Sequence, residues 1–574
     1  MKKAANFWRF PENNRAEGFW LLKDLRQRQN ILVRGANWVG DAVMTLPAVA
    51  ALSAAWPQSR LCVMTRPWAL AVYEHLPGVA EVLAHDRDGA HRGLRGRLRL
   101  VRELAAHKFD LAVLFQNAFE AALLPALARV PERWGYARDG RSPLLTRAIE
   151  LEPADLHIHE SFYYLQILER AGLTAPFTRP RLSPRPEDRA EADSLLLQAG
   201  VRPGDFILAL APGAAFGSAK RWPAENFGRA AELILGENPG WAMILGGPGE
   251  KEAAALLTAT LGDRAVNLVG AASLGVSLAL MSRAALLVTN DSGLMHIGGA
   301  LDVPLAAVFG PTNPLTTAPL GRARLIRSAA PCAPCLKREC PLPRQICFDD
   351  VTPERVAAAA LELIEGEDLR AGSSPAVFLD RDGTVNEEVD YLRSPDQLRL
   401  IAGSARGIAA LNRAGFKVVV VTNQSGLARG LFTPADLDLV HARLREMLAA
   451  EGAHLDGLYF CPHHPQGAVP EFSRECRCRK PAPGLFEDAC LQLGLDPARS
   501  FWVGDRRRDL EAAEVFGGRS ALVLTGYGLE EVRRPGLTPT IVAPDLRRAA
   551  DWILSWRPGG HDRAADNGRT GGHD

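Results

Sequence analysis

The sequence predicts an α/β protein of three domains, each built on a parallel sheet with helices packed on its faces. First, short apolar segments typical of buried strands alternate with helical stretches along most of the chain. Second, a length of 574 residues is too great for a single hydrophobic core. Third, two breaks rich in Pro, Gly or charged residues divide the chain, at 179–188 and 366–375.

These breaks set the expected domain boundaries. The chain divides into an N-terminal extension (1–29), a first α/β domain (30–178), a second α/β domain (189–365), a linker (366–375), a third α/β domain (376–556) and a tail (557–574). The tail is rich in Gly, Asp and Arg and contains Gly-Gly-His-Asp twice, so we expect it to be disordered.

Composition excludes several classes of protein. A hydrophobic content of 47% with a formal net charge of +1 indicates a globular protein without the positive excess of a nucleic-acid binder. No apolar run reaches the roughly 18 residues that a membrane-spanning helix needs. The N-terminus mixes charges with Phe and Trp, unlike a secretion signal. Nine cysteines, most of them in two clusters, favour intracellular metal binding over disulfides, so we expect a cytoplasmic protein.

Three motifs in the first two domains suit a ligand cleft. The domains are similar in length, which predicts twin Rossmann-like folds with ligands beyond the C-terminal strand ends. Residues 31–47 lead from a strand into a helix whose first turn carries Asp41, where interaction with the helix dipole is an alternative role. Residues 211–223 form a small-residue loop with Lys220, suited to a diphosphate. Residues 288–300 join a strand to a glycine-rich helix start whose amides suit phosphate or sugar hydroxyls.

Together these motifs resemble the ADP-heptose:lipopolysaccharide heptosyltransferases, most closely the heptosyltransferase II branch, over about 31–365. The resemblance implies a GT-B fold and an inverting transfer that needs no metal. It makes Asp41 the base that takes a proton from the acceptor hydroxyl. Lys220 and the amides near Ser292 and Gly293 would stabilise the departing ADP. The resemblance assigns Asp291 to the heptose hydroxyls and Glu250 to the ribose. A lone His296 on a helix is usually a satisfied core histidine, but its place beside Asp291 and Ser292 favours a part in the site.

Two features of these domains fall outside that resemblance. The spacing C-x2-C-x4-C-x6-C joins Cys332, Cys335, Cys340 and Cys347, which suits either zinc or free structural cysteines. The segment 87–108 carries six Arg and one Lys. It is interpreted either as a solvated helix face or as a contact for an acidic, lipid-linked acceptor.

The third domain opens on the most informative motif of the chain, Val-Phe-Leu-Asp-Arg-Asp-Gly-Thr at 377–384. Because side chains alternate along a strand, Asp380 and Asp382 should point the same way at its end. One carboxylate can attack phosphorus while the other exchanges a proton with the leaving oxygen. Alone, the motif is equally compatible with an exposed turn after a buried strand.

Further blocks in the same order remove that ambiguity. Residues 417–426 end a strand in hydroxyl and amide donors, 479–481 add positive charge, and Asp505 follows another strand. These blocks resemble the haloacid dehalogenase superfamily of aspartyl-phosphate phosphatases. The resemblance makes Asp380 the nucleophile and Asp382 the general acid/base. It implies Mg²⁺ bound by Asp380, Asp505 and the backbone carbonyl of Asp382.

A cluster of metal ligands narrows the family. Cys461, His463, Cys476 and Cys478 offer four ligands on one loop, which suits tetrahedral structural Zn²⁺. Unrelated thiols or a disulfide are the alternatives, and a reducing compartment disfavours the disulfide. The loop and the blocks around it are similar to the D,D-heptose 1,7-bisphosphate 7-phosphatases. Histidinol-phosphate phosphatases share the loop and are the alternative family.

The heptose resemblance also assigns the substrate side of this site. The segment 388–391 would close over the sugar, Arg479 would contact the distal phosphate, and Thr422 and Lys480 would neutralise the transferring group. Position 506 is Arg where the family leads us to expect Lys. The expected substrate-binding residues are Arg381, Glu388, Val389, Asp390, Tyr391, Thr422, Asn423, Gln424, Ser425, Arg479, Lys480 and Arg506.

The resemblances together imply a bifunctional enzyme of lipopolysaccharide inner-core heptose metabolism. One half would transfer heptose from ADP-heptose to a lipid A–core acceptor. The other would remove the 7-phosphate of heptose 1,7-bisphosphate. We expect a cytoplasmic location with peripheral contact at the inner membrane. Two alternatives stay open: a phosphatase acting on histidinol phosphate, and a transferase half that only binds sugar nucleotide as a scaffold.

Overall fold

The computed structural model describes residues 28–74, 76–215, 217–365 and 374–556. Most of the expected N-terminal extension and most of the linker lie outside these ranges. The whole tail (557–574), which we expect to be disordered, also lies outside them. The chain forms two compact units. The first comprises the chain up to Leu151 together with Tyr164–Pro176, and the second comprises Glu152–Tyr163 and the chain from Phe177.

The first unit contains a parallel six-stranded sheet with the strand order β3-β2-β1-β4-β5-β6. Its strands are β1 (Asn30–Arg34), β2 (Arg60–Thr65), β3 (Val79–Ala84), β4 (Leu111–Leu114), β5 (Glu132–Tyr136) and β6 (Arg147–Ile149). Its helices are α1 (Val39–Ala55), α2 (Leu70–Glu74), α3 (Gly93–Ala106) and α4 (Phe119–Leu127), and α5 (Glu160–Arg170) runs across the boundary of the two units. The central strand is buried on both faces, as its unbroken apolar run predicts.

The second unit begins with another parallel sheet of order β12-β11-β10-β7-β8-β9. Its strands are β7 (Phe206–Ala211), β8 (Gly240–Ile244), β9 (Ala265–Asn267), β10 (Leu286–Asn290), β11 (Leu305–Phe309) and β12 (Ala323–Arg327). Its helices are α6 (Pro186–Gln198), α7 (Ala224–Glu237), α8 (Lys251–Leu261), α9 (Leu274–Met281), α10 (Gly293–Ala300), α11 (Pro314–Thr317) and α12 (Pro353–Glu365).

The last sheet, also in the second unit, has the order β15-β14-β13-β16-β17-β18. Its strands are β13 (Ala376–Leu379), β14 (Lys417–Asn423), β15 (Gly457–Cys461), β16 (Phe501–Gly504), β17 (Arg519–Val523) and β18 (Ile541–Ala543). Its helices are α13 (Ser404–Arg413), α14 (Pro434–Ala450), α15 (Gly484–Leu493), α16 (Arg507–Phe516), α17 (Gly528–Glu531) and α18 (Leu546–Leu554).

All three sheets place their first strand beside their fourth, so the chain reverses its direction of winding at that pair. Loops leave such a switch point in opposite directions and open a crevice at the C-terminal strand ends. The predicted fold class of three parallel-sheet α/β domains is confirmed. In each sheet the motifs singled out from the sequence follow strands at or beside this crevice.

The core of the last sheet is built around Trp502 in β16, which is fully buried. Its ring stacks on Phe378 at 5.0 Å and on Phe516 at 5.8 Å between centroids. Phe378 immediately precedes Leu379 and Asp380, so this aromatic stack fixes the strand that carries the first aspartate.

The two sheets of the second unit are joined by an apolar cluster. Leu315 of α11 lies in one buried cluster with residues of the last sheet and its helices, namely Leu510, Leu522, Val532, Leu537 and Val542. Beside it, the backbone N–H of His159 donates to the carbonyl oxygen of Val542 at 3.1 Å. None of the helices within the described ranges is both long enough and apolar enough to cross a membrane.

Trp502→Ala should destabilise the last sheet by about 3–5 kcal/mol, because the cavity left by the ring cannot be refilled. Trp502→Phe is the matched control. It keeps an aromatic ring and removes a buried indole N–H that has no hydrogen-bond partner among the described residues, so it should cost less. Opening free energies of the β13 and β16 amides, from native-state hydrogen exchange, measure both effects. Equal protection in the two variants would contradict this account of the core.

Candidate active sites

The C-terminal ends of β13, β14 and β16 meet at a cavity of about 310 Å³. Asp380, Asp382 and every substrate-binding residue expected for the phosphatase line it. Six further residues line the cavity without having been assigned to it from the sequence: Leu392, Gly426, Arg429, His464, Arg508 and Tyr527. Gly426 ends the 417–426 motif, and Leu392, His464 and Arg508 lie one or two residues from assigned positions, so nearness in sequence was the available signal for these four.

The first aspartate is held by a lysine from another loop. Lys480 Nζ lies 2.7 Å from Asp380 Oδ1 and donates to Val421 O at 2.6 Å, and both side chains are buried. Burial opposes charge on this amine, but the carboxylates of Asp380 and Asp509 hold the pKa of Lys480 above its ordinary value. A fixed ammonium is therefore present at the point where a phosphoryl group would meet Asp380.

The second aspartate is clamped by its neighbour in sequence. Arg381, only 1% exposed, donates through Nε and Nη2 to the two carboxylate oxygens of Asp382 at 3.0 and 2.8 Å. Asn386 and Gln424 each donate to the same carboxylate at 3.0 Å. Burial alone would raise the pKa of Asp382, but these donors hold it below its ordinary value. Arg381 also meets His441 Nε2 at 3.1 Å, so it serves chiefly to fix Asp382.

Three buried carboxylates converge beside this pair. Oxygens of Asp380, Asp505 and Asp509 all lie within 4.8 Å of one another. Burial and mutual repulsion raise the pKa of Asp380 to about 6 and that of Asp505 to about 8. Asp505 Oδ1 is buried and has no hydrogen-bond partner among the described residues. Hard carboxylate oxygens with an unsatisfied atom among them fit a divalent cation of the Mg²⁺ type.

Two glycines make room for that arrangement. A Cβ on Gly383 or on Gly526 would lie 2.3 or 2.2 Å, respectively, from Asp505 Oδ2. Both residues also have a positive φ, +79° and +55°, which side chains rarely adopt. The Gly-Thr turn after Asp382 therefore lets Asp505 approach the strand that ends at Asp380.

Asp509 is the ligand candidate that the sequence analysis missed. It accepts the Arg506 N–H at 3.0 Å and so caps α16, and its Oδ1 lies 2.7 Å from Lys480 Nζ. A spacing of four residues from Asp505, across a helix start, was the available signal. An acid near a helix N-terminus usually needs no further role, which hid it.

Glu388 and Arg479 line the same cavity, and both have shifted pKa values. Burial, followed by repulsion from Asp382 and Asp380, raises the pKa of Glu388 to about 7. Burial is the largest cause that lowers the pKa of Arg479, and repulsion from Arg508 and Arg429 lowers it further. Crowded guanidinium groups of this kind are relieved by an anion.

The predicted zinc ligands are brought together. Cys461 Sγ lies 3.5 Å from Cys476 Sγ and 3.4 Å from Cys478 Sγ, and His463 Nδ1 lies 3.2 Å from Cys478 Sγ. All four ligand atoms fall within 4.8 Å of one another, and no disulfide joins these cysteines. Arg479 Nη1 donates to His463 O at 3.1 Å, so the ligand loop also positions an arginine of the cavity.

A second candidate site lies at the ends of β7 and β10. Lys220 Nζ pairs with Asp291 Oδ2 at 2.6 Å, and both side chains are largely buried. Asn290, which lies in the 288–300 motif but had no role assigned from the sequence, accepts from Trp222 N and donates to Pro212 O at 2.6 Å, which ties the two loops together. Ser292 immediately precedes α10, whose first residue is Gly293.

Glu250 and His296 flank this pair. A Cβ on Gly213 would lie 2.6 Å from Glu250 Cγ, so the glutamate packs directly on the 212–213 loop. Burial lowers the pKa of His296 to about 4, with Asp291 opposing and His159 and Lys220 reinforcing the shift. The imidazole is therefore neutral near pH 7.

Asp41 lies in the other compact unit, in the first turn of α1. The loop before it is fixed from within that unit. Buried Arg34 donates to Gly35 O at 2.7 Å and to Asn37 Oδ1 at 2.9 Å. Tyr73 Oη accepts the Ala36 N–H at 3.3 Å. This support gives the carboxylate a defined position at the C-terminal end of β1.

Stabilisation of the protein by Mg²⁺ should increase between about pH 5 and 8. The pKa of Asp505 is about 8 in the folded protein against about 3.9 in an unfolded chain. Because it is raised, its stabilising contribution is present below about pH 3.9 and is lost as the pH rises through about 8 in the metal-free protein. The cation favours the carboxylate and reverses that loss. Tm with and without Mg²⁺ across this range measures the effect, and Asp505→Asn should flatten it. A constant Mg²⁺ effect would contradict the cluster as its site.

Comparison with known proteins finds relatives of both parts of the chain. The glycosyltransferase family 9 (heptosyltransferase) model matches residues 97–346, and the HAD-hydrolase-like model matches residues 477–549. The chain is similar to the Escherichia coli (strain CFT073) D-glycero-beta-D-manno-heptose-1,7-bisphosphate 7-phosphatase, with 43% identity over 186 residues, 32% of this chain and 91% of that protein. A Vibrio cholerae phosphatase of the same description is 38% identical over 183 residues, 32% of this chain and 97% of that protein.

The transferase half has a solved relative. The structure of E. coli ADP-heptose lps heptosyltransferase II aligns with 59% of this chain and 100% of that chain, at 28% identity and a TM-score of 0.52. The predicted fold, two Rossmann-like transferase domains followed by a haloacid-dehalogenase-type domain, is thereby confirmed. The chain belongs, through its C-terminal part, to the D-glycero-beta-D-manno-heptose-1,7-bisphosphate 7-phosphatase family, and carries it fused to a glycosyltransferase family 9 (heptosyltransferase) domain.

Proposed function

We propose that this chain catalyses two steps of lipopolysaccharide inner-core heptose metabolism. One half transfers heptose from ADP-heptose to a lipid A–core acceptor, and the other hydrolyses the 7-phosphate of D-glycero-D-manno-heptose 1,7-bisphosphate. The observation that carries the proposal is the buried group of Asp380, Asp505, Asp509 and Lys480 at one end of a cavity rich in arginine. The identity of 43% over 91% of a heptose bisphosphate phosphatase supports the substrate.

In the phosphatase, Asp380 attacks the phosphorus of the 7-phosphate and Asp382 gives its proton to the leaving sugar oxygen. Water then attacks the aspartyl phosphate and returns a proton to Asp382. Arg381 holds Asp382 as a carboxylate before substrate enters, and a phosphate dianion beside it favours the protonated form that the first step needs. Lys480 and the hydroxyl of Thr422 neutralise the transferring group.

The metals of this half are assigned by ligand chemistry. Asp380, Asp505 and the backbone carbonyl of Asp382 would hold Mg²⁺, with Asp509 beside them, and the ion would neutralise charge on the phosphoryl group when bound. Cys461, His463, Cys476 and Cys478 would hold Zn²⁺ in a closed set of four ligands, which gives it a structural role.

A bisphosphate suits the cavity better than histidinol phosphate. Lys480 supplies one positive charge beside the nucleophile. A further group of arginines, Arg479, Arg429 and Arg508, repel one another in the same cavity, so positive charge is left for a second phosphate. Histidinol phosphate carries one phosphate and a cationic amine, and it would leave this charge unbalanced.

In the transferase, Asp41 removes the acceptor proton, and Lys220 with the amides of Ser292 and Gly293 stabilises the ADP that leaves. Asp291 holds heptose hydroxyls, Glu250 the ribose, and neutral His296 lines the donor site. This half works without a metal. The ion pair between Lys220 and Asp291 supports the assignment, because it keeps a cation and a hydroxyl acceptor in place before the donor binds. A purely scaffolding transferase half has no observation in its favour.

The proposal predicts that each activity can be removed alone. Asp380→Asn should reduce phosphate release from heptose 1,7-bisphosphate by at least about 10³-fold, since it removes the nucleophile. Lys220→Ala should lower kcat/KM for heptose transfer by about 10–100-fold, the worth of a charged hydrogen bond. Each variant serves as the other's control, because its second activity should be unchanged. Preference of the wild-type phosphatase for histidinol phosphate, or absence of ADP release with a lipid A–core acceptor, would reject the corresponding half.

We further propose that α3 contacts the acceptor and the membrane surface. The protein is then cytoplasmic and touches the inner membrane peripherally. Arg95, Arg97 and Arg99 are exposed on this helix. Leu94 and Leu98 are 73% and 46% exposed beside them. Basic side chains with exposed leucines suit an anionic lipid surface.

Reversing the charge of Arg95, Arg97 and Arg99 should therefore raise the acceptor KM several-fold and leave the KM for ADP-heptose unchanged. The expected effect is electrostatic, so it should shrink as salt is raised. Arg443→Glu, at an exposed arginine of α14, is the matched control for charge alone. An unchanged acceptor KM in vesicles containing anionic lipid would rule out this surface.

A further inference from the structure

The four cysteines Cys332, Cys335, Cys340 and Cys347 lie on the connection between β12 and α12, in the transferase half. The proposed activities use none of them. All four are free thiols; Cys332 is exposed, Cys335 and Cys340 are half-buried, and Cys347 is buried.

The segment 331–346 has little hydrophobic support, with half-buried Ala333 packed against the core beneath it. None of its side chains is buried, and the large apolar ones face solvent, with Leu336 62% and Leu342 41% exposed. It contains no strand, and its only helical residue opens a three-residue 3₁₀ turn that starts at Ile346. A segment of this kind cannot offset its loss of conformational entropy by burial and needs another constraint.

The same segment nevertheless makes specific contacts with the loop that carries Lys220. Ala219 N donates to Arg338 O at 3.0 Å, and Gln345 Nε2 donates to Ser218 O at 3.0 Å. A Cβ on Gly217 would lie 2.2 Å from Arg338 O, so the two backbones touch. The position of Lys220 therefore depends on a segment that burial does not hold.

The four thiols fall within the short stretch 332–347. Burial raises the pKa of Cys347 to about 11, and Cys332, Cys340 and Cys335 are all close enough to raise it further. Leu336 has a φ of +56°, an unusual value for a leucine, which turns the chain sharply just after Cys335. Within the described ranges, the ligand sets that lie within 4.8 Å do not include these sulfurs, so binding an ion has to draw the segment closer together.

We propose that Cys332, Cys335, Cys340 and Cys347 form a second zinc-type site, which fixes the segment 331–346 against the Lys220 loop. Four thiolates select a soft or borderline ion with tetrahedral geometry, of which Zn²⁺ is the representative. Each thiol gives its proton to solvent as it binds the ion. The site goes beyond the proposed function, because it places a structural metal in a half whose chemistry needs none.

The proposal is tested by measuring the zinc content of the full-length chain, purified without chelator, by mass spectrometry. The double variant Cys335→Ser/Cys340→Ser should hold one equivalent of zinc fewer than wild type, since the phosphatase loop keeps its own ion. Cys490→Ser, a cysteine outside both clusters, should match wild type. Equal zinc in the double variant and wild type would overturn the proposal. So would the loss of free thiols from these positions in the unreduced, denatured protein, because that result indicates disulfides.

Phosphatase activity in the same sample reports whether the double variant has folded. If it has not, the single variant Cys332→Ser, at an exposed position, replaces it in the zinc measurement. In the folded variant, the KM for ADP-heptose should rise about tenfold while the phosphatase rate stays unchanged, as expected when a charged hydrogen bond is displaced. The zinc count requires no transferase activity, so failure of the proposed transfer reaction and failure of this metal site give different results.

Discussion

The pairing of one buried lysine with buried carboxylates is the constraint on which the phosphatase half depends. Lys480 lies 2.7 Å from both Asp380 and Asp509. Burying one of these charges alone would cost several kcal/mol, roughly, so each is tolerable only because the others are present. The strands β13 and β16, the cap of α16 and the glycines at 383 and 526 all bring these groups together. A divalent cation beside Asp505 would complete the balance of charge and would link folding of the site to metal binding.

The transferase half uses the same physical device in weaker form. Lys220 and Asp291 are paired at 2.6 Å, and their side chains are 14% and 7% exposed, against 2% and 9% for Lys480 and Asp380. The lysine of this pair is therefore easier for a polar ligand to reach than Lys480. In both halves a lysine from one loop meets an aspartate that ends a central strand, at the crevice of a sheet with the same strand order. The shared topology explains why two unrelated reactions have similar layouts.

The loop that carries Cys461, His463, Cys476 and Cys478 shows how a candidate metal site can position residues of the phosphatase cavity from outside it. Its ligands Cys476 and Cys478 are followed directly by Arg479 and Lys480, so the loop sets the approach of both cations. Metal sites of this type replace hydrophobic burial where a loop has too few apolar side chains. The segment 331–346 has the same deficit and the same proximity to a functional lysine.

The sequence by itself determined the class of each domain, the strand ends that carry chemistry, and most of the phosphatase cavity, because those residues form continuous motifs. Asp380, Asp382 and Lys480 were identifiable in this way, as were the ligands of the zinc loop. Only the tertiary structure decided how these side chains are charged and what else joins them. Asp509 reads as an ordinary helix cap, Arg429 belongs to no motif, and Asn290 lies in the 288–300 motif without a predicted role. Their roles arise from approaches between loops that are distant in sequence, and burial and charge act through distance in space rather than along the chain.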